Sequence, residues 1–347
     1  MLLRRAAGVV AGLTALRIVV LLAFAVLNDA SLTHLLTQWD ADYYLDIATE
    51  GYTGERSYAF FPGFPALLAL LGGSPIAALI LNFGATIALA MGVMRLCDKQ
   101  GGGTRTQLAA AVVVCGAPMS TVFLMPYTEA LFCALSVWAL IALQDKRWWL
   151  TAVLIGAAGT VRLTAAALLV AFGICVLLWA RKNWRAWAAL ILASLPPVAF
   201  IAWASWRLGS VGGYFANQSE HWDSGFDFGL ATLRWVGETL TTATNAGYLL
   251  STLVILAVPL TLALTWRRQP LPVAVFALAL CINVLAADGI MHSRPRLLLP
   301  AAIILIPVVI AAFRRLPTPW AWTFTTAWAL FGAWFSGYML AVFEWAI

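Results

Sequence analysis

Charge is what this sequence has least of. Lysine and arginine number 21 and aspartate and glutamate 15, so 10% of the 347 residues are charged while 63% are hydrophobic, and histidine occurs three times. No soluble domain of this length hides so much apolar surface, which leaves a polytopic membrane protein as the class. Strict apolar/polar alternation is missing as well; the apolar runs are continuous, which excludes a membrane β-barrel. Neither GxxxxGK[ST] nor GxGxxG occurs, so neither of the common nucleotide-phosphate cradles is present. The five cysteines (97, 115, 133, 175 and 281) form no CxxC and lie within apolar runs, where they read as small core residues. Low-complexity linkers, internal repeats and a soluble domain are also missing, so residues 1–347 are expected to form one transmembrane domain.

What is there is a series of apolar stretches punctuated by charge. They predict helices over 6–27, 75–96, 106–124, 127–144, 148–160, 163–180, 184–206, 247–266, 271–290, 297–313 and 319–342, about eleven transmembrane segments of an all-α protein. The first lacks a convincing small-residue cleavage site and is expected to stay as a signal anchor. With the N-terminus (Arg4, Arg5) in the cytoplasm, every inner loop is basic, and 14 of the 21 Lys/Arg lie inside. Of the 15 acidic residues only Asp98 and Asp145 then lie inside. The net charge of +6 therefore reflects topology. Nucleic acid is not an expected partner, because a binding face would not be divided among short loops. Both long polar loops, 28–74 and 207–246, fall on the outer face, away from cytosolic nucleotide sugars and ATP, and are expected to form the site. The 17 Trp and 8 Tyr suit interfacial belts.

The most polar stretch is WDADYYLDIA, residues 39–48. Helical spacing sets Asp40, Tyr43, Tyr44 and Ile47 on neighbouring rows, and Trp39, Tyr44, Ile47 and Tyr52 suit the lipid–water boundary. Asp40 at the helix start has a plain alternative reading as a helix cap. FFPGFP (60–65) then predicts a broken interfacial helix leading into the second span.

These residues, Trp39-Asp40, Ile47-Ala48, Gly51-Tyr52 and the block Ala59 to Pro65, closely resemble the PIG-V-type mannosyltransferases, the GPI mannosyltransferase 2 enzymes and their bacterial relatives. Pro126-Tyr127-Thr128-Glu129-Ala130-Leu131-Phe132, Arg162, Gln218 with Trp222, and Arg294 to Pro300 are similar to the family too. The length of the chain favours a bacterial relative in the plasma membrane. The resemblance implies a GT-C fold that uses a polyprenyl-phosphate sugar, mannose, as donor and a glycolipid or glycan as acceptor. It also implies a catalytic Asp in the first outer loop, by position Asp40, and Trp39, Tyr127, Glu129, Gln218 and Trp222 of the similar stretches are expected to line the substrate, together with Asp42 and Tyr44, which the family pattern does not cover.

The chemistry such a donor demands is modest. Hydrolysing a glycoside usually takes two carboxylates, because the departing alkoxide needs a proton. A prenyl phosphate already leaves well, so one carboxylate acting from the opposite face is enough, and the anomeric carbon inverts. Positive charge is needed where the phosphate charge grows. His292-Ser293-Arg294-Pro295-Arg296 is the densest outer cluster, with Arg294 ahead of Arg296, and Arg162 joins it. The alternatives are snorkelling at a span end for the cluster and a structural pair with Glu129 for Arg162. Asp40-Ala41-Asp42 also spells D-x-D, yet arginines at the phosphate make a metal unnecessary, and no cofactor is expected. Arg17, deep in the first span, has no functional reading. Two rival classes remain open: a secondary transporter built on the proline- and glycine-broken spans, and a non-catalytic subunit of a glycosylation complex.

Overall fold

The computed structural model describes residues 1–345, and helices make up nearly all of it. Helix α1 (Leu2–Leu27) leads to a first long loop holding α2 (Leu32–Thr37), α3 (Asp40–Glu50) and α4 (Gly63–Leu70). Next come α5 (Pro75–Lys99), α6 (Thr104–Cys115), α7 (Glu129–Gln144), α8 (Trp148–Gly159), α9 (Ala166–Trp179) and α10 (Trp184–Leu208). The second long loop contributes α11 (Gly213–Trp222) and α12 (Leu230–Thr242). The chain then continues through α13 (Ala246–Thr265), α14 (Leu271–Leu285), the short α15 (Arg294–Leu297), α16 (Ile306–Arg315) and α17 (Thr318–Ala341).

Each of the eleven expected stretches carries helix, but the helices differ in reach. Those of α1, α5, α10 and α13 are long and apolar enough to cross a membrane unaided. The pair Met291–Leu297 and Leu299–Arg315 is bent by 57° and makes a fifth span if taken as one. Helices α6, α7, α8 and α14 hold 12, 16, 12 and 15 residues. At about 1.5 Å per residue each falls short of a ~30 Å hydrocarbon core. The region 148–180 resolves into α8 and α9, broken at Thr160 to Arg162. Trp149, Trp184, Trp206, Trp266 and Trp320 are exposed and lie near helix ends, as interfacial anchors do.

In lipid the helices gain little from excluding water, so close backbone approach and buried polar ties decide how they pack. Helix α10 lies on α8, α5 on α7 and α6, α14 on α9, and α1 on α17. Gly332 of α17 presses on the chain at Gly116, where an added Cβ would stand 2.1 Å from the Gly116 carbonyl oxygen. Arg17 finds its purpose here. It is buried, donates through Nη2 to the Cys115 carbonyl and, at 2.8 Å, to Ser120 Oγ, and stands 5.7 Å from the Phe123 ring. It ties α1 to the irregular segment between α6 and α7. All five cysteines are free and buried.

The first long loop is a packed layer. Tyr44, Ile47, Phe60, Phe64 and Leu68 form one small core, and Tyr58, Phe61, Phe200 and Tyr214 form another that joins the two long loops. Tyr44 and Ile47 are therefore interior residues and not lipid-boundary ones; the helix turns that face inward onto α4. The loop is clamped to the α8–α9 break where Gly63 N–H donates to the Thr160 carbonyl at 2.7 Å. A Cβ on Gly63 would lie 2.4 Å from Thr160 Oγ1 and 2.8 Å from its carbonyl oxygen. Gly63→Val should therefore unseat this contact and cost about 1–3 kcal/mol. A lowered thermal unfolding midpoint of the purified protein checks it; an unchanged midpoint would show that the clamp is dispensable.

Candidate active site

Asp40 is the first residue of α3, and the residue before it is unusual. Trp39 adopts φ 62° and ψ −119°, a region that non-glycine residues rarely occupy. Such a residue costs on the order of 1–3 kcal/mol and persists only where its surroundings hold it. The Trp39 ring packs against the main core, which supplies that hold. The turn delivers the Asp40 carboxylate inward, where Oδ2 accepts from Arg296 Nη1 at 2.5 Å. The plain capping reading is replaced by this long-range ion pair, although the helix N-terminus still favours the negative charge.

The pair continues into a chain of alternating charges. Arg296 Nε lies 3.7 Å from Glu129 Oε1, and the same oxygen is 2.5 Å from Arg162 Nη1. Glu129 is 1% exposed, so both of its neighbours are needed to balance it. Below Arg296, the Tyr127 ring takes the guanidinium at 4.9 Å from its centroid. Thr128 links the layers: its Oγ1 accepts from Arg162 Nη1 at 3.0 Å and lies 3.3 Å from the Tyr44 hydroxyl. Burial pushes the Tyr44 phenol above its usual range, so it stays protonated. Asn82 fixes the turn that presents Tyr127 to Glu129, donating through Nδ2 to the Met125 carbonyl at 2.6 Å and the Tyr127 carbonyl at 2.9 Å.

These groups border a cavity of about 290 Å³. Asp40, Tyr44, Arg162, Gln218, Trp222, Arg294 and Arg296 all line it, drawn from both long loops, the α8–α9 break and the segment after α14. The site thus extends beyond loops 28–74 and 207–246. Gln218 Nε2 and Trp222 Nε1 are buried in its wall with no hydrogen-bond partner among the described residues. Trp222 is held edge-on by Tyr43 and Phe60, at 5.5 and 5.4 Å between ring centroids. It therefore packs against the first loop and does not project into lipid. Two donors aimed inward beside a carboxylate and two guanidinium groups suit a ligand rich in oxygen.

Several expected residues stand elsewhere. Asp42 is exposed and does not line the cavity, because positions i and i+2 of a helix point about 200° apart. The D-x-D spelling therefore brings one carboxylate to the chamber. Trp39 and Tyr127 support the lining residues from behind, and Glu129 does so through its two arginines. His292 is also outside the cavity lining, its ring meeting Tyr248 and Phe343 edge-on. Arg294 lines the wall, but its guanidinium is committed. Nη1 donates to Thr232 Oγ1 at 2.7 Å and the Val284 carbonyl at 2.5 Å, and Nη2 to the Ala287 carbonyl at 2.5 Å. The expected order is thus reversed. Arg294 shapes the 284–287 segment, while Arg296 and Arg162 face the chamber with charge. Asp227 serves the same rim, accepting from Gly229 and Ala231 N–H groups at 2.9 and 2.6 Å, which hold its carboxyl below the usual carboxylate range.

Sequence reasoning missed Thr128, Asn82, Asp288 and Tyr214. Asp288 and Tyr214 line the cavity. Only Thr128 carried a signal, lying inside the Pro126 to Phe132 stretch already singled out.

Against known proteins, a family model described as mannosyltransferase (PIG-V) matches residues 14–192. The chain is 33% identical over 143 residues to GPI alpha-1,6-mannosyltransferase 2 of Cricetulus griseus. To the Mus musculus and Homo sapiens proteins of the same name it is 34% and 35% identical over 149 residues. These matches take in 37% of this chain and 28% to 29% of the relatives' length, less than a third of each. Among solved structures, that of ArnT from Cupriavidus metallidurans bound to undecaprenyl phosphate aligns with a TM-score of 0.56. The alignment spans 92% of this chain and 62% of that one at 15% identity, and the shared fold is the GT-C fold.

Removing the acid at the centre of the charge chain leaves two arginines without their common partner. Glu129→Gln should therefore destabilise the protein by about 3 kcal/mol, read as a lower thermal unfolding midpoint. Stability equal to wild type would show that Glu129 is not the counter-charge.

Proposed function

The chain belongs to the mannosyltransferase (PIG-V) family, and we propose that it moves mannose from polyprenyl-phosphate mannose to a glycolipid or glycan acceptor with inversion at the anomeric carbon. It is an integral multi-pass membrane protein, and we place the reaction on the extracytoplasmic side. The observation that carries this reading is the Asp40–Arg296 ion pair in the wall of a chamber bordered by Arg162. Asp40 belongs to the very stretch that gives the family resemblance.

In this reading Asp40 takes the proton from the attacking acceptor hydroxyl. The new bond forms between that oxygen and the anomeric carbon, on the face opposite the phosphate. The bond from the anomeric carbon to the phosphate oxygen breaks, and its electron pair leaves with the prenyl phosphate. Arg296 has two tasks: Nη1 aligns the Asp40 carboxylate, and the guanidinium as a whole, which lines the chamber, offers its charge to phosphate. Arg162 adds a second positive group at the same wall. Removal of water from such a pocket strengthens both contacts. Gln218 Nε2 and Trp222 Nε1 are suited to donate to sugar hydroxyls, and the Trp222 ring offers an apolar face. The undecaprenyl phosphate bound to ArnT supports a prenyl-phosphate donor for a chain of the same fold. No step calls for a metal or an organic cofactor.

The test is transfer by the purified protein, given polyprenyl-phosphate mannose and candidate glycolipid acceptors. Asp40→Asn, folded but lower in thermal midpoint because Arg296 loses a partner, should lose about 10³-fold in rate when assayed well below that midpoint. Arg296→Lys, which keeps the charge but not the planar fork, should fall less steeply. Transfer that persists at the wild-type rate in Asp40→Asn defeats the assignment. Uptake of a polar solute into proteoliposomes with no covalent transfer would favour the transporter class.

A further inference from the structure

The end of the bundle away from the chamber carries a second concentration of arginine. Helix α7 runs from Glu129 at the chamber to Gln144, and just beyond it Asp145 meets Lys99 at the end of α5, at 2.5 Å. At this end lies a cavity of about 470 Å³ bordered by Gln100, Arg268, Arg314 and Arg315 on its polar side and by Pro307 and Ile310 on its apolar side. The positive-inside bias explains the sign of these charges. It does not explain why residues 100, 268, 314 and 315, from three separate parts of the chain, meet around one space.

Among the described residues no acid answers them. The two acidic residues at this end are Asp98 and Asp145. Asp98 pairs with Arg95 at 2.9 Å and accepts from Gln107 at 3.2 Å, and Asp145 pairs with Lys99. Among the described residues Arg268, Arg314 and Arg315 take part in no ion pair. Arg314 is steadied by donating to the Gly101 carbonyl at 3.3 Å. Gln100 Nε2 is buried with no hydrogen-bond partner. Three guanidinium groups and an unused amide donor around a space of that size match the oxygens of a phosphate.

The neighbouring surface decides between a free anion and a lipid. Arg268 also borders a second cavity of about 660 Å³, otherwise walled mainly by apolar side chains of α13 and α14 that include Pro259, Leu262, Leu264 and Leu278. A polar pocket and an apolar groove that share one arginine fit a headgroup and the acyl chain attached to it.

We infer that this end of the protein binds an anionic phospholipid, with its phosphate among Arg268, Arg314, Arg315 and Gln100 and an acyl chain along the α13–α14 groove. The site is separate from the chamber and does not depend on the proposed transfer reaction.

The experiment titrates the purified full chain in detergent with dioctanoyl phosphatidylglycerol, dioctanoyl phosphatidylcholine and inorganic phosphate. Phosphatidylglycerol should bind at least tenfold more tightly than phosphatidylcholine, and inorganic phosphate should not displace it. Arg268→Gln with Arg315→Gln, both exposed positions, should weaken phosphatidylglycerol by roughly thirtyfold, as expected for two basic groups. Arg268→Lys with Arg315→Lys, the folding control, should keep most of the affinity. Equal binding of the two lipids, or an unchanged affinity in the glutamine pair, overturns the inference. Displacement of phosphatidylglycerol by inorganic phosphate at matching affinity overturns it too, in favour of a free-anion site.

Discussion

A buried carboxylate in a membrane protein is tolerable only with a partner, and here one pairing organises the chamber end of the molecule. Arg296 joins Asp40, from the first long loop, to Glu129, at the start of α7, and Glu129 in turn holds Arg162 at the α8–α9 break. Four segments distant in sequence are thereby pinned at one point. Two acids and two bases alternate, so no member of the chain is left as an uncompensated charge. A cavity bounded by such a chain is polar without being empty of structure. That combination suits a reaction in which charge moves from a hydroxyl toward a phosphate.

The scaffold behind the charges is built to hold them still. Trp39 accepts a strained backbone so that Asp40 points inward, and its ring is gripped by the main core. Gly63 allows α4 to touch the carbonyl of Thr160, two residues before Arg162. Arg294, tied to the Val284 and Ala287 carbonyls and to Thr232, locks the wall from which Arg296 projects. Each device acts within two residues of one of the charged groups, the support a site needs where geometry matters more than raw stability.

Much of this was legible from sequence, because its physics is local. All eleven apolar stretches carry helix, and the break at 160–162 fell where two short runs met. The prominence of Asp40 came from one short motif, and the split of charge between the loops pointed to the outer end. What sequence did not reveal was pairing. Arg17 has no functional reading from sequence because its partners lie 98 and 103 residues away. Arg294 and Arg296 are two positions apart with equal chemistry, yet the fold ties one to carbonyls and aims the other at a carboxylate. Asp40 and Asp42 divide in the same way, on opposite sides of one helix. Tyr44 and Ile47 fit a lipid boundary by composition and lie in a core by contact. Long-range contacts leave no periodic trace in a single sequence.

The central claim is that Asp40 and Arg296 form one coupled unit in the chamber wall, and a double-mutant cycle on stability tests it most directly. Unfolding free energies of wild type, Asp40→Asn, Arg296→Gln and the double variant supply the four corners. A coupling energy of about 1 kcal/mol or more is the result the account predicts. Additivity within about 0.3 kcal/mol would mean that the two groups do not interact, and would contradict it.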